Sequence, residues 1–218
     1  MSETSTQTPQ ANHTGDPIDA LTTQVLQHGR REAAEILAQQ SDGQAVAVLQ
    51  RIKPGVAQEL LSKLAPQRRQ HIIASAPAAV QSQWLVNSTY PEDSIGRMMD
   101  PPIGLFRRDI TVAQAVSQLR ELVKKGFITY GYVVDDANQL FGIIVMRDLL
   151  LASPEPTLDT LMQRNPFSLD PHLPLMDAMK AVLNKHYPVY PVCEEGKLVG
   201  LVRGQNLFEM QAIELSAQ

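Results

Sequence analysis

Pairs of apolar residues recur every twelve positions through the first part of the chain: Ile36-Leu37, Val48-Leu49, Leu60-Leu61, Ile72-Ile73 and Trp84-Leu85. Pro54 and Pro66 keep the same spacing, Pro77 falls one position early, and Asp42-Gly43 takes the corresponding place in the first unit. Proline suits the first turn of a helix, where its missing N–H would be unpaired anyway. The pattern therefore predicts short helices of about two turns joined by tight connections. Such helices are too short to be stable alone, so neighbours must bury one another in a superhelical or right-angled stack. This stack is assigned to residues 18–90. Residues 1–17, rich in Ser, Thr, Gln, Pro and Asn, have too little apolar surface to offset the entropy of ordering and are expected to be a disordered leader.

From residue 91 the period changes. Ile103-Gly104-Leu105-Phe106 reads as a short strand, and Thr111-Val112-Ala113-Gln114 fits a capping box opening a helix with Val112, Ala115, Val116, Leu119 and Val123 on one face. Two strands follow, Tyr130 to Val134 and Leu140 to Val145, joined by the turn-rich Asp135-Asp136-Ala137-Asn138, and then a helix near Arg147-Asp148-Leu149-Leu150. The order recurs about sixty residues later. Phe167-Ser168-Leu169 is followed by a helix from Leu175, the strands Tyr190-Pro191-Val192 and Leu198 to Val202, and a closing helix from Asn206 to Met210. Val112 and Ala115 align with Leu175 and Ala178 at an offset of 63, and Tyr132 and Gly142 with Tyr190 and Gly200 at an offset of 58. The expected fold class is α + α/β: a helical stack, then two β-α-β-β-α modules over 91–154 and 155–218.

Composition narrows the function classes. With 218 residues, 44% hydrophobic and 19% charged, the chain has the make-up of one or two ordinary globular domains rather than a collagen-like, coiled-coil or fully disordered chain. Mean hydropathy is -0.15, and no run approaches the roughly 18 apolar residues of a membrane-spanning helix. The start lacks the basic and apolar regions of an export signal, and the single Cys193 cannot form an intramolecular disulfide, so the cytoplasm is the expected compartment. A net charge of -4 argues against broad electrostatic binding to nucleic acid or anionic lipid. It divides unevenly: 7 basic and 5 acidic residues over 18–90, 12 basic and 16 acidic over 91–218, with Glu3 and Asp16 in the leader.

The two modules resemble a tandem pair of CBS domains. The residues that carry the likeness are Tyr132-Val133-Val134-Asp135 and the run from Gly142 to Leu150. Over about residues 20 to 215 the chain resembles something narrower, the cytosolic part of the MgtE family of magnesium channels and transporters. The junction Tyr90-Pro91-Glu92-Asp93-Ser94-Ile95-Gly96-Arg97-Met98-Met99 and the domain order support this. That family's transmembrane domain follows the second CBS domain. A chain ending at Gln218 is expected to be a free-standing relative or a shortened form of a longer protein.

The resemblance implies two kinds of ligand. In the family, carboxylates between the helical domain, the CBS pair and a connecting helix gather Mg²⁺, a hard cation that prefers oxygen ligands. At the corresponding acidic positions this chain has Gln205, Asn206, Glu209, Ala212, Glu214, Ala217 and Gln218, so Glu209 and Glu214 keep a carboxylate. With Glu92 and Asp93 of the junction they form the candidate metal set. Pro91-Glu92-Asp93 also reads as a helix start, which favours carboxylates regardless of a metal. CBS pairs also bind adenosine nucleotides, with an Asp accepting from the ribose diol. Asp148 stands at that position, Val145 replaces the usual hydroxyl, and the second copy has Arg203 and Asn206 at the two places. Asp148, Arg147, Val145 and Tyr132 form the candidate site for ATP, ADP or AMP. Arg147 or Arg203 could meet phosphates. Tyr187, Tyr190, Pro188 and Pro191 read as strand-edge packing or the lining of an adenine slot.

Catalysis has no support in the residues. His71, His172 and His186 lack a recognisable nucleophile or metal partner, and Cys193 sits in a strand that reads as core. Arg68, Arg69 and His71 read as a solvated basic face. The expected function is a cytoplasmic regulatory or interaction module. It would be a homodimer associating face to face through CBS helices and acting on a partner protein, with a membrane transporter as one class. The alternatives are a Mg²⁺-responsive subunit of a magnesium transport system, supplied in trans, and a scaffold without ligand.

Overall fold

The computed structural model describes residues 16–126 and 128–208. Most of the expected leader lies outside these residues. Its last two members belong to the first helix instead: Asp16 caps it by accepting from the Ile18 N–H at 2.9 Å, and Pro17 is its first residue. Six short helices follow one another, α1 (Pro17–Gln27), α2 (Arg30–Ala38), α3 (Asp42–Arg51), α4 (Pro54–Lys63), α5 (Pro66–Ala74) and α6 (Ala78–Ser88). Pro54 and Pro66 open their helices, whereas Pro77 is the N-cap of α6, which accounts for its early position. Ser41 and Gln44 form a capping box at α3.

The twelve-residue pairs face a common core. Leu37, Val48, Leu49, Leu60, Leu61, Ile72 and Trp84 are all buried there, each large side chain contributing about 1.5–3 kcal/mol. The repeat fails at its end, where Leu85 is 51% exposed. Arg68 is no solvated cation. From α5 it donates to the carbonyls of Ala38, at 2.9 Å, and Gln40, and pairs with Asp42, so one side chain closes the end of α2 and the start of α3. The guanidinium holds the Asp42 carboxyl below its ordinary range.

The junction folds differently from expectation. Pro91-Glu92-Asp93 forms a turn, and the helical residues are α7 (Ile95–Met98), preceded by Ser94, because Ser94 bonds back to the Pro91 carbonyl. The first module comprises β1 (Leu105–Arg107), α8 (Val112–Leu122), β2 (Tyr130–Val134), β3 (Leu140–Val145) and α9 (Met146–Leu151). The second comprises α10 (Leu158–Leu161), β4 (Gln163–Arg164), α11 (Leu175–Val182), β5 (Val189–Glu194), β6 (Lys197–Arg203) and a helical segment over 204–208. The capping box Thr111–Gln114 opens α8 as its residues predict, while Val123 lies at the C-cap and is exposed.

In the four-stranded sheet β1 pairs parallel to β2, β2 antiparallel to β3, and β3 antiparallel to β4. β5 and β6 form a hairpin, with Leu169 bridging Val192 in parallel as Phe106 does Val133. The segments that lead into the modules are exchanged. β4 completes the sheet of the first module, whereas Asp100 pairs with Leu201 on β6 of the second. Their cores follow: Leu158 and Met162 bury with α8, and Ile95, Met98 and Met99 bury with α11. Between the modules lies a layer containing Tyr132, Val134, Leu198 and Leu201. The two hairpin tips pair across it, the Leu140 N–H donating to the Gly196 carbonyl at 3.0 Å and the Leu198 N–H to the Asn138 carbonyl at 2.9 Å. Among the described residues no helix is long and apolar enough to cross a membrane.

Candidate functional site

A cleft of about 320 Å³ opens where the exchanged segment meets both modules. β2 and β3 supply Tyr130, Ile143 and Val145; residues 163–167 supply one wall, ending in Phe167; Tyr187, Val189 and Pro191 come from the second module. Alternation along β2 turns Tyr130, Tyr132 and Val134 toward the opposite module while Gly131 and Val133 face the helices. Of the candidate nucleotide residues, Val145 lines this cleft. Asp148 follows in the first turn of α9, its side chain 41% exposed, and Arg147 reaches its Oδ1 with two nitrogens at 3.3 Å.

Tyr132 is elsewhere. It does not line the cleft: its ring is buried between the modules, edge-on to the lining Tyr130 with ring centroids 6.4 Å apart, and its hydroxyl has no hydrogen-bond partner among the described residues. Burial pushes its phenol well above the ordinary range. The pairing of Tyr132 with Tyr190 is also displaced. Val133 opposes Gly142 and Val192 opposes Gly200, so the second strands are related by an offset of 59, and the counterpart of Tyr132 is Pro191. The first hairpin has one more loop residue than the second. That insertion brought Tyr132 and Tyr190 into register in sequence though not in space. Tyr190 faces α11, its hydroxyl accepting from the Tyr187 N–H at 3.1 Å.

In the second module Arg203 stands where Val145 stands in the first and Asp100 where Gln163 stands. These two form an ion pair at 3.6 Å. Burial raises the Asp100 carboxyl above its ordinary value, and Arg203 opposes that shift only in part. Cys193 is half-buried, and burial pushes its thiol up.

The candidate metal residues are divided. Glu92 and Asp93 line a second cavity of about 320 Å³ between α4, the junction and α11, together with Glu59, Lys63 and Arg97. There the carboxylates have cationic neighbours: Glu92 lies 4.0 Å from Arg97, and Glu59 accepts from Arg30 at 2.8 Å. Glu209 and Glu214 lie outside the described residues. Among the described residues no three His, Cys, Asp or Glu side chains are grouped to hold a metal ion. The same junction carries a contact that spacing could not reveal. The Tyr90 hydroxyl donates to Glu194 at 3.2 Å, and His172 Nε2 lies 2.9 Å from the other oxygen of that carboxylate.

Sequence reasoning missed Tyr130, Ile143, Gln163 and Arg164 as cleft residues. For Tyr130 and Ile143 the signal was the alternation of β2 and β3. For Gln163 and Arg164 none existed, because they reach the cleft only through the exchange.

Two β-α-β-β modules packed about a shared layer, with a ligand-sized cleft between them, define a paired binding module. The chain belongs to the CBS domain family, whose model matches residues 95–155 and 158–211. It is also similar to the MgtE magnesium transporter of Bacillus subtilis, 32% identical over 139 residues, covering 63% of this chain and 30% of that protein. The MgtE magnesium transporter of Thermus thermophilus is 26% identical over 172 residues, 78% of this chain and 36% of that protein. The chain thus spans about a third of the length of these relatives. Two solved structures share the fold, helical stack included. The soluble part of a magnesium transporter gives a TM-score of 0.76 at 19% identity, covering 91% of this chain and 78% of that one. The cytosolic domain of the Mg²⁺ channel MgtE in complex with ATP gives 0.70 at 21% identity, covering 88% and 85%.

Proposed function

We propose that this protein is a cytoplasmic regulatory module, a binding protein rather than an enzyme, that senses an adenine nucleotide in the cleft between its CBS modules. The observation that carries the reading is the cleft itself. Tyr130, Phe167 and Tyr187 offer aromatic and apolar surface for a base, and Asp148 lies in the helix turn that follows Val145. A pocket of a few hundred Å³ with few polar groups is what a small ligand site requires. Asp148 would accept from the ribose diol, an acceptor-only role that a carboxylate fills. A ligand touching residues 163–167, β2–β3 and the loop at Tyr187 together would bind one arrangement of the modules better than another and so shift their equilibrium. The helical stack, docked through Tyr90 and the junction, would transmit that shift to a partner protein, a membrane transporter being the class the relatives suggest.

The test is thermal unfolding of the chain with ATP, ADP and AMP, since any ligand bound only by the native state raises the midpoint. Stabilisation by at least one nucleotide that is lost in Asp148→Ala supports the reading. No shift at millimolar nucleotide removes it, and a shift unchanged in Asp148→Ala removes the ribose assignment.

A second reading, a Mg²⁺-responsive subunit acting in trans, is favoured by the cavity that brings Glu92 and Asp93 beside Glu59 at the junction. It predicts stabilisation by Mg²⁺ alone that falls in Glu92→Gln with Asp93→Asn. A response surviving those changes but lost in Glu209→Gln with Glu214→Gln would move the site to the end of the chain.

A further inference from the structure

Charge around the inter-module cleft is scarce and mostly compensated. Arg164 is the one charged residue of the lining among the described residues, and its guanidinium is held 2.8 Å from the Asp159 carboxylate while also donating to the Asp159 carbonyl at 3.0 Å. Arg147 is engaged with Asp148, the carboxylate expected to take the ribose. Arg203, paired on β6 with the lining Val189, is engaged with Asp100 at 3.6 Å, and the remaining cation beside the cleft is Lys185. It precedes the lining Tyr187 by two residues, and its ammonium lies 4.3 Å from the ring centroid of Phe167, another lining residue. Lys185 makes no ion pair among the described residues, and its ammonium lies over the π face of that ring. A cation–π contact attracts the ammonium without neutralising it.

A phosphate chain bound against protein needs cations or several amide donors for each group it buries. Three arginines already matched to carboxylates supply no net charge to a polyphosphate, which would have to break those pairs. One lysine supplies the charge for one phosphate.

We propose that the cleft selects its ligand by charge: it takes an adenine nucleoside or nucleoside monophosphate in preference to the di- and triphosphates, and Lys185 meets the single phosphate. This rests on the nucleotide reading above and narrows it to one ligand class. Arg164 becomes a selectivity element because Asp159 holds it away from ligand, and Phe167 both stacks under the base and places the lysine.

Isothermal titration of the full chain with adenosine, AMP, ADP and ATP at one ionic strength tests the proposal. AMP is expected to bind at least about tenfold more tightly than ATP, with ADP between them. In Lys185→Gln the advantage of AMP over adenosine disappears while adenosine affinity stays within about twofold. In Asp159→Asn, which releases Arg164, the gap between AMP and ATP narrows. ATP binding as tightly as AMP or more so overturns the charge selection while leaving the nucleotide reading intact. An AMP advantage over adenosine that survives Lys185→Gln overturns the role of the lysine. Absence of binding by all four ligands overturns the nucleotide reading and this proposal with it.

Discussion

Asp100 and Leu201 exchange both main-chain hydrogen bonds, the Asp100 N–H donating to the Leu201 carbonyl at 2.8 Å and the Leu201 N–H to the Asp100 carbonyl at 2.9 Å. The segment that enters the first module thereby finishes the sheet of the second. Its counterpart, β4, lies against Gly142 and Ile143 of the first. Neither module has a complete edge without the other, so the pair is one folding unit rather than two beads on a string.

Gly142 and Gly200 are the seats of this exchange. A Cβ on Gly142 would lie 2.7 Å from the Gln163 carbonyl oxygen and 2.7 Å from the Met162 sulfur; on Gly200 it would meet the Met99 sulfur at 2.4 Å and the Asp100 carbonyl oxygen at 3.0 Å. Gly142→Ala and Gly200→Ala are each expected to cost about 1–3 kcal/mol through overpacking. Urea unfolding checks this. Gly43→Ala, in the first turn of α3 with a Cβ that would meet nothing within 4 Å, is the control and should leave stability unchanged or raise it by up to about 1 kcal/mol.

Arg68→Ala should destabilise the helical stack by about 1–2 kcal/mol, because it strips partners from two carbonyls and an ionised carboxylate at partly exposed positions. Replacement by Lys should recover less than half, since an ammonium cannot reproduce the guanidinium fork. Guanidinium chloride melts of the three proteins measure the difference. Equal stability of Arg68→Ala and the parent would return this residue to the solvated face.

Acid and base sides of the stability profile should have separate owners. The Asp16 carboxyl is lowered by the Ile18 N–H and by Arg51, and that of Asp42 by Arg68. Both contribute stability that is present above the unfolded carboxylate value near 3.8 and is lost as pH falls through their depressed folded values. Asp100 has the opposite sign. Its raised folded value means that the native state binds the proton more tightly, so it weakens the fold as pH rises from about 3.8 through that value. Asp100→Asn should therefore raise the melting temperature at pH 7, with the gain vanishing near pH 3.5. A gain independent of pH would assign it to something other than ionisation.

The helices of the CBS pair leave apolar side chains uncovered: Leu150 is 61% exposed, Leu151 79%, Leu183 58% and Met176 46%. In the homodimer expected from the sequence these would face a second copy. Leu151→Glu is expected to convert the dimer to monomer in sedimentation equilibrium while leaving the far-UV circular dichroism unchanged. A parent chain that is monomeric at tens of micromolar would remove the dimer from the account.

Much of the architecture was legible because it is written locally. The twelve-residue pairing, Pro54 and Pro66, the Thr111 cap and the alternation of β2 and β3 each act within a few residues, and the folded chain keeps them. Errors arose where a residue's partner is distant. Arg68 looked solvated because its acceptors lie on other helices. Pro91-Glu92-Asp93 looked like a helix start, yet its backbone is committed to α11, the Leu175 N–H donating to the Asp93 carbonyl at 2.9 Å. Tyr132 looked like the counterpart of Tyr190 because one inserted loop residue is invisible to a count of offsets.

The candidate site divides in the same way. Sequence alone determined that there are two related modules, that Asp148 opens a helix after a strand, and that Val145 stands where a hydroxyl is usual. Local propensity and the period-two side-chain pattern suffice for the modules and the helix start, while the meaning of Val145 comes from the resemblance to CBS pairs. Tertiary structure alone decided that residues 163–167 and Tyr187 complete a cleft with Val145, that Tyr132 is sealed between modules, and that Arg203 pairs with Asp100. Those outcomes depend on strand exchange, in which main-chain bonds between distant segments set which faces meet. Backbone pairing carries no side-chain signature that a linear sequence can display.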